Sequence, residues 1–164
     1  MRIKVLTPIA DNISDIEKDM EQYLRPFLRE STELVFETLK YGFPSVENAV
    51  SDTLNSAQTL ISLIDSDTTC LDGMFVNCFD DPGVYPCREL GKIPVIGPYV
   101  ASLSSAILTG ERIGIITTDE AGILSEERKI KEIGLQGRVA AIQAVDLNVE
   151  DIKTAPEKIL EKLE

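Results

Sequence analysis

Two of the three cysteines in this chain, Cys78 and Cys87, lie in the stretch VNCFDDPGVYPCREL. A thiol does acid–base or nucleophilic work as its thiolate, and the usual partner that draws off the proton is a histidine. This chain has no histidine. A working thiolate here must therefore be favoured by backbone amides. Cys78 closes the strand-like run LDGMFVNC, just ahead of a DDPG turn. Open parallel sheets bind ligands beyond the carboxyl ends of their strands, which puts Cys78 in such a crevice. The N–H groups of residues 79–83 can form a cradle for a carbonyl or carboxylate, and the same positive end lowers a thiol's pKa from about 8.5. Asp80 and Asp81 work against this, because a neighbouring carboxylate disfavours a thiolate. At least one of them is expected to turn away and cap the next helix. Pro86 would need a backbone donor if that helix began at Pro82, so the regular helix is expected to start near Tyr85 and to contain Cys87. Cys70 and Cys87 read as small buried hydrophobes.

Composition narrows the chemistry further. Three unevenly spaced thiols without histidine make a poor zinc site, and no G-x-G-x-x-G or Walker pattern occurs, so neither a metal nor a nucleotide cofactor is expected. A net charge of −12 with no Lys/Arg cluster disfavours nucleic acid and anionic membrane as partners. No apolar run reaches membrane-spanning length, and MRIKVLTPI opens directly into a strand rather than a signal peptide. An odd cysteine count without a disulfide framework fits a reducing cytoplasm.

The elements that must position Cys78 follow from periodicity. RIKVLTP, TELVFETL, LDGMFVNC and the short apolar KIPVIG read as four strands, and RIGIITT and RVAAIQAV as two more. Between them lie helical stretches. NISDIEKDMEQYLRP carries a Ser14–Glu17 capping pair with Ile13 as staple. SVENAVSDTLNSAQTLISLI repeats apolar residues at Val46, Ala49, Val50, Leu54, Ala57, Leu60, Ile61 and Ile64, which predicts a helix with that stripe as its core face. YVASLSSAIL is stopped by Gly110, GILSEERKIKEIG is capped by Gly134, and TAPEKILEKLE closes the chain. Strand–helix alternation argues an α/β fold with parallel sheets. The run PVIGPYVASLSSAILTGE is the natural boundary between two lobes, residues 1–97 and 98–164, with four strands before it and two after.

CFDDPG followed by CREL and PVIG resembles the hydantoin and allantoin racemase branch of the aspartate/glutamate racemase superfamily. PSVENAVSD is similar to that family's SIE segment with its downstream Asp. RIGIITT resembles its R-x-x-I-x-T-T strand, and AIQAVDLNV its V-x-A-I-D-L-P-V stretch. Aspartate and glutamate racemases usually carry CNT where this chain has CFDDPG, so the resemblance points to the hydantoin branch.

That resemblance implies two pseudo-symmetric α/β lobes with the substrate between them, and cofactor-independent racemisation by two cysteines on opposite faces of a carbon acid. Cys78 matches the first-lobe catalytic cysteine. Phe79 and Asp80 would hold a substrate carbonyl through their amides, Ser45 and Glu47 match a first-lobe loop over the substrate, and Thr117 and Thr118 match the second-lobe loop. The implied partner is a small molecule, hydantoin-like or derived from an amino acid, and the implied assembly a homo-oligomer. Three departures stand out. TPI at Thr7–Ile9 replaces the family's NPN, and GVYPC replaces its GLHAC-like segment. The family's second cysteine, in a GCAG-type strand end, falls downstream of Glu164, and neither Cys70 nor Cys87 matches it. The second lobe is therefore expected to be shortened and the racemase impaired. Two alternatives are a non-catalytic ligand-binding or oligomerising relative, and a single-thiol decarboxylase or isomerase of the same superfamily.

Overall fold

In the computed structural model, residues 1–11 and 14–147 are described, together with Glu157 and Leu160. The architecture is α/β, with helices flanking parallel sheets. Packing divides the chain into two units: Met1–Val46 with Val50–Ala101, and Glu47–Ala49 with the chain from Ser102 onward.

The first unit holds a four-stranded parallel sheet in the order β2-β1-β3-β4, built from β1 (Arg2–Thr7), β2 (Glu33–Thr38), β3 (Gly73–Val76) and β4 (Val95–Ile96). The two inner strands, β1 and β3, read as apolar runs because both their faces are covered. Lys4 is the exception: it is buried on β1, with Nζ 2.7 Å from Glu37 Oε2 and 2.8 Å from both Ser62 Oγ and Ser66 Oγ. Such a charge is tolerated in a core only when paired and hydrogen-bonded in this way. Leu6, Leu39, Leu63, Met74, Val76, Val84, Cys87 and Val95 form the core between sheet and helices.

Four helices accompany this sheet: α1 (Ser14–Leu24), α2 (Ala49–Asp65), α3 (Val84–Glu89) and α4 (Pro98–Thr109), the last running into the second unit. Pro26 ends α1 in a short 3-10 turn at Arg25–Phe27, as its missing donor requires. The Ile13 staple and the Ser14 cap side chain fall outside the described residues.

Helix α2 corrects the sequence reading. Its buried face is Ser51, Asn55, Thr59 and Leu63, while Val50, Leu54, Ile61 and Ile64 of the anticipated core stripe are exposed. The reason is close packing and local backbone demand. A Cβ at Gly83 would meet Ser56 O at 2.6 Å and Thr59 Cβ at 2.8 Å, so the chain entering α3 runs too close to α2 for large side chains between them. Asn55 is fully buried because its amide binds main chain: Nδ2 donates to Pro8 O (2.9 Å) and Phe43 O (3.2 Å), and Oδ1 accepts from Phe43 N (2.9 Å). One side chain thus ties the loop leaving β1 to the loop leaving β2.

The second unit pairs β5 (Ile113–Thr117) in parallel with β6 (Val139–Ala144), with a register shift at Ile113/Gly114, and packs α5 (Glu120–Glu132) against them. Gly134 closes α5 as expected: it takes φ of 73° while Leu135 N donates to Ile130 O at 3.0 Å. The anticipated last helix, TAPEKILEKLE, lies outside the described residues apart from Glu157 and Leu160.

Candidate functional site

Cys78 stands two residues past the end of β3, at the carboxyl edge of the sheet. The ladder extends one step beyond the strand, with Asn77 N donating to Leu6 O at 2.7 Å and Asn77 Nδ2 to Thr7 Oγ1 at 3.2 Å. Cys78 N then turns back on Val76 O (3.0 Å), which lifts the chain out of the sheet plane. Two further turns follow, Asp81 N to Cys78 O (3.0 Å) and Val84 N to Asp81 O (3.1 Å), and lead into α3. Cys78 is half-buried at the start of this path.

Phe79 and Asp80 follow within the turn. The Phe79 ring is exposed on one side and packs edge-on against buried Tyr99, with centroids 5.4 Å apart and planes at 78°. No acceptor for the Phe79 N–H is found among the described residues. That leaves a donor of the kind a developing oxyanion needs, one residue from the thiol.

One of the two aspartates does turn away to cap a helix, though not the adjacent one. Asp81 Oδ1 accepts from Tyr99 N (2.9 Å) and Oδ2 from Val100 N (3.2 Å), satisfying the first turn of α4 instead of α3. Gly97 makes this possible, since a Cβ there would collide with the Asp81 carboxylate. Asp81 adopts φ of 50°, the left-handed region that Asp tolerates better than most residues. Its charge is thereby set against the positive end of a helix. Helix α3 has Gly83 at its N-cap, one residue earlier than Tyr85 would give.

The other two cysteines part company. Cys87 is fully buried in the core, as expected, and burial pushes its thiol up to about 11, with Lys4 pulling weakly the other way. It is a protonated packing group at neutral pH. Cys70 is exposed, contrary to expectation. It ends a 3-10 turn (Thr68–Cys70) organised by Asp67, whose Oδ1 accepts from Thr69 N and Oγ1, and this turn precedes β3 at the opposite end of the strand from Cys78.

The loop candidates are distributed between the units. Ser45 is half-buried in the loop ahead of α2 and falls in the first unit, whereas Glu47 is exposed and groups with the second. Thr117 ends β5 and Thr118 follows it, both half-buried. Their carbonyls accept from Val145 N and Leu147 N, each at 3.0 Å, and Asp119 caps α5 through Gly122 N (2.8 Å). The Thr117 hydroxyl fills the place a Cβ at Gly122 would take. Sequence reasoning missed Asn55, Asn77 and Tyr99, which shape the loops around Cys78. Asn55 carried one signal: an amide residue, a weak helix former, in the middle of a long helix.

The family model for Asp/Glu/hydantoin racemases matches residues 14–164. This chain belongs to that family. Among curated racemases it is 27% identical over 124 residues to the hydantoin racemase of Rhizobium meliloti, covering 73% of this chain and 52% of that protein. It is 25% identical over 163 residues to the hydantoin racemase of Pseudomonas sp. (strain NS671), covering 99% and 65% respectively. The allantoin racemase from Klebsiella pneumoniae superposes with a TM-score of 0.87 at 25% identity, over 99% of this chain and 66% of that structure. The chain thus spans between about half and two thirds of the length of these racemases. The resemblance carried by CFDDPG, PVIG and RIGIITT is borne out at the level of family and fold.

Proposed function

We propose that this racemase-family chain performs the proton abstraction of a hydantoin-type racemase, with Cys78 as base. The observation that carries the reading is Cys78 at the carboxyl end of an inner parallel strand, one residue from an N–H with no acceptor among the described residues. The substrate is a small ring, hydantoin-like or derived from an amino acid, whose Cα proton is acidified by the adjacent carbonyl. The Cys78 thiolate takes that proton: Cα–H breaks, S–H forms, and the electron pair moves onto the carbonyl oxygen. The amides of Phe79 and Asp80 meet the charge that develops there. Return of the proton from Cys78 restores the starting enantiomer, and delivery to the other face inverts it. Ser45, Glu47, Thr117 and Thr118 are the further residues assigned to substrate contact on this reading. The chemistry draws on no cofactor or metal, and the working protein is a cytoplasmic homo-oligomer.

Inversion is expected to be the slow step. Of the other two thiols, Cys87 is buried and protonated and Cys70 lies at the far end of β3, so neither is placed to deliver a proton to the second face. Each enantiomer of a 5-alkylhydantoin, incubated with the chain in heavy water, should gain deuterium at Cα in one case only, and faster than its optical rotation decays. Equal rates of exchange and decay would show that an efficient second acid exists. No exchange and no decay with either enantiomer would favour a non-catalytic binding relative.

A further inference from the structure

Helix α2 is amphipathic in the reverse sense. Its buried face is mostly polar, and its exposed face is apolar: Val50, Leu54, Ile61 and Ile64 are 68%, 44%, 44% and 47% exposed, with Ala57 open between them. Steps of four, three, four and three residues align these five side chains on one stripe, the 3.5-residue seam along which helices pair. A large apolar stripe left in water marks an interaction surface.

The stripe itself indicates its partner. Its spacing is nearly symmetric about Ala57, with Leu54 three residues before it, Ile61 four after, and Val50 and Ile64 seven to either side. Two copies of α2 laid antiparallel across a twofold axis at Ala57 set Leu54 against the partner's Ile61 and Val50 against the partner's Ile64. The small residue lies where the helices come closest, and a self-complementary patch is what a twofold interface requires. Charge agrees with this. The only charged residues on α2 are Asp52 and Asp65, so the stripe is neutral in a chain of net charge −12, whose remaining surface repels a second copy. Antiparallel pairing also places exposed Asp65, at the C-terminal end, beside the positive N-terminal end of the partner's α2.

We infer that α2 is a homodimer seam, on which a second copy of this chain docks antiparallel through Val50, Leu54, Ala57, Ile61 and Ile64. The test is sedimentation equilibrium across a concentration series, with far-UV circular dichroism to confirm folding. Wild type should sediment at twice the 18.1 kDa of one chain, or at an even multiple. Ile61→Glu buries an unpaired charge in the seam and should weaken association at least about tenfold. The double variant Leu54→Lys with Ile61→Glu should re-associate, because antiparallel docking brings each lysine to the partner's glutamate, whereas parallel docking would set like charges together. A wild type that stays monomeric overturns the inference. So does an Ile61→Glu protein that associates as wild type does, or a double variant weaker than the single.

Discussion

A carboxylate three residues from a thiol in the same turn would disfavour its thiolate if it faced the sulfur, and Asp81 instead turns its carboxylate to the start of α4. The side chain is held by two N–H groups of α4, which also packs Tyr99 against Phe79. Asp81→Ala should remove the cap at a cost of about 1 kcal/mol and lower the thermal midpoint by about 3 °C. Amide hydrogen exchange at Tyr99 and Val100 should speed up, while Asp81→Asn, which keeps an acceptor, should hold most of the protection. Unchanged exchange at those two amides in Asp81→Ala would show that the cap contributes little. At this scale the sequence made Cys78 legible, because a thiol at a strand end before a Pro-Gly turn has a defined place in a parallel sheet. It also foretold an aspartate turned to capping. Which helix it caps was not legible, since Gly97 and α4 meet Asp81 only through tertiary packing.

Elements were legible in kind and order, because apolar runs and 3.6-residue periods are local properties. Which face of a helix is buried is not local. The α2 stripe reads as a core face by hydropathy, yet the close approach of Gly83 and the backbone groups at Pro8 and Phe43 select Ser51, Asn55 and Thr59 for the interior. Helix α3 shows the more regular case, with Val84 and Cys87 pointing into the core. The fold holds the Cys87 proton more tightly than the unfolded chain does, since its pKa rises from 9.0 to about 11. Its contribution is therefore full below pH 9 and is lost as pH climbs towards 11, by roughly 2–3 kcal/mol for two pH units. Urea unfolding of wild type and Cys87→Ala should show a stability gap at pH 7 that narrows by pH 10.5. Parallel pH profiles would mean that the thiol is not protonated by burial.

On the scale of the whole molecule, the sheet order β2-β1-β3-β4 puts the two strands that begin and end the candidate site, β1 and β3, side by side. Thr7 and Asn77 join across them, and Asn55 adds the loop from β2, so three chain segments remote in sequence are tied together at the carboxyl end of the sheet. The family and the α/β architecture were legible because their motifs are spread along the chain in order. The mutual support of those loops was not, because it rests on single polar side chains within otherwise ordinary elements. The central claim is that Cys78 abstracts a proton from a carbon acid, and it is tested most directly by comparing wild type with Cys78→Ser in heavy water. Deuterium entering Cα of one enantiomer of a 5-alkylhydantoin is followed by mass spectrometry, with near-ultraviolet circular dichroism to confirm that the variant is folded. The expected result is steady incorporation by wild type and none above the buffer rate by Cys78→Ser. Incorporation by folded Cys78→Ser at the wild-type rate would contradict the assignment.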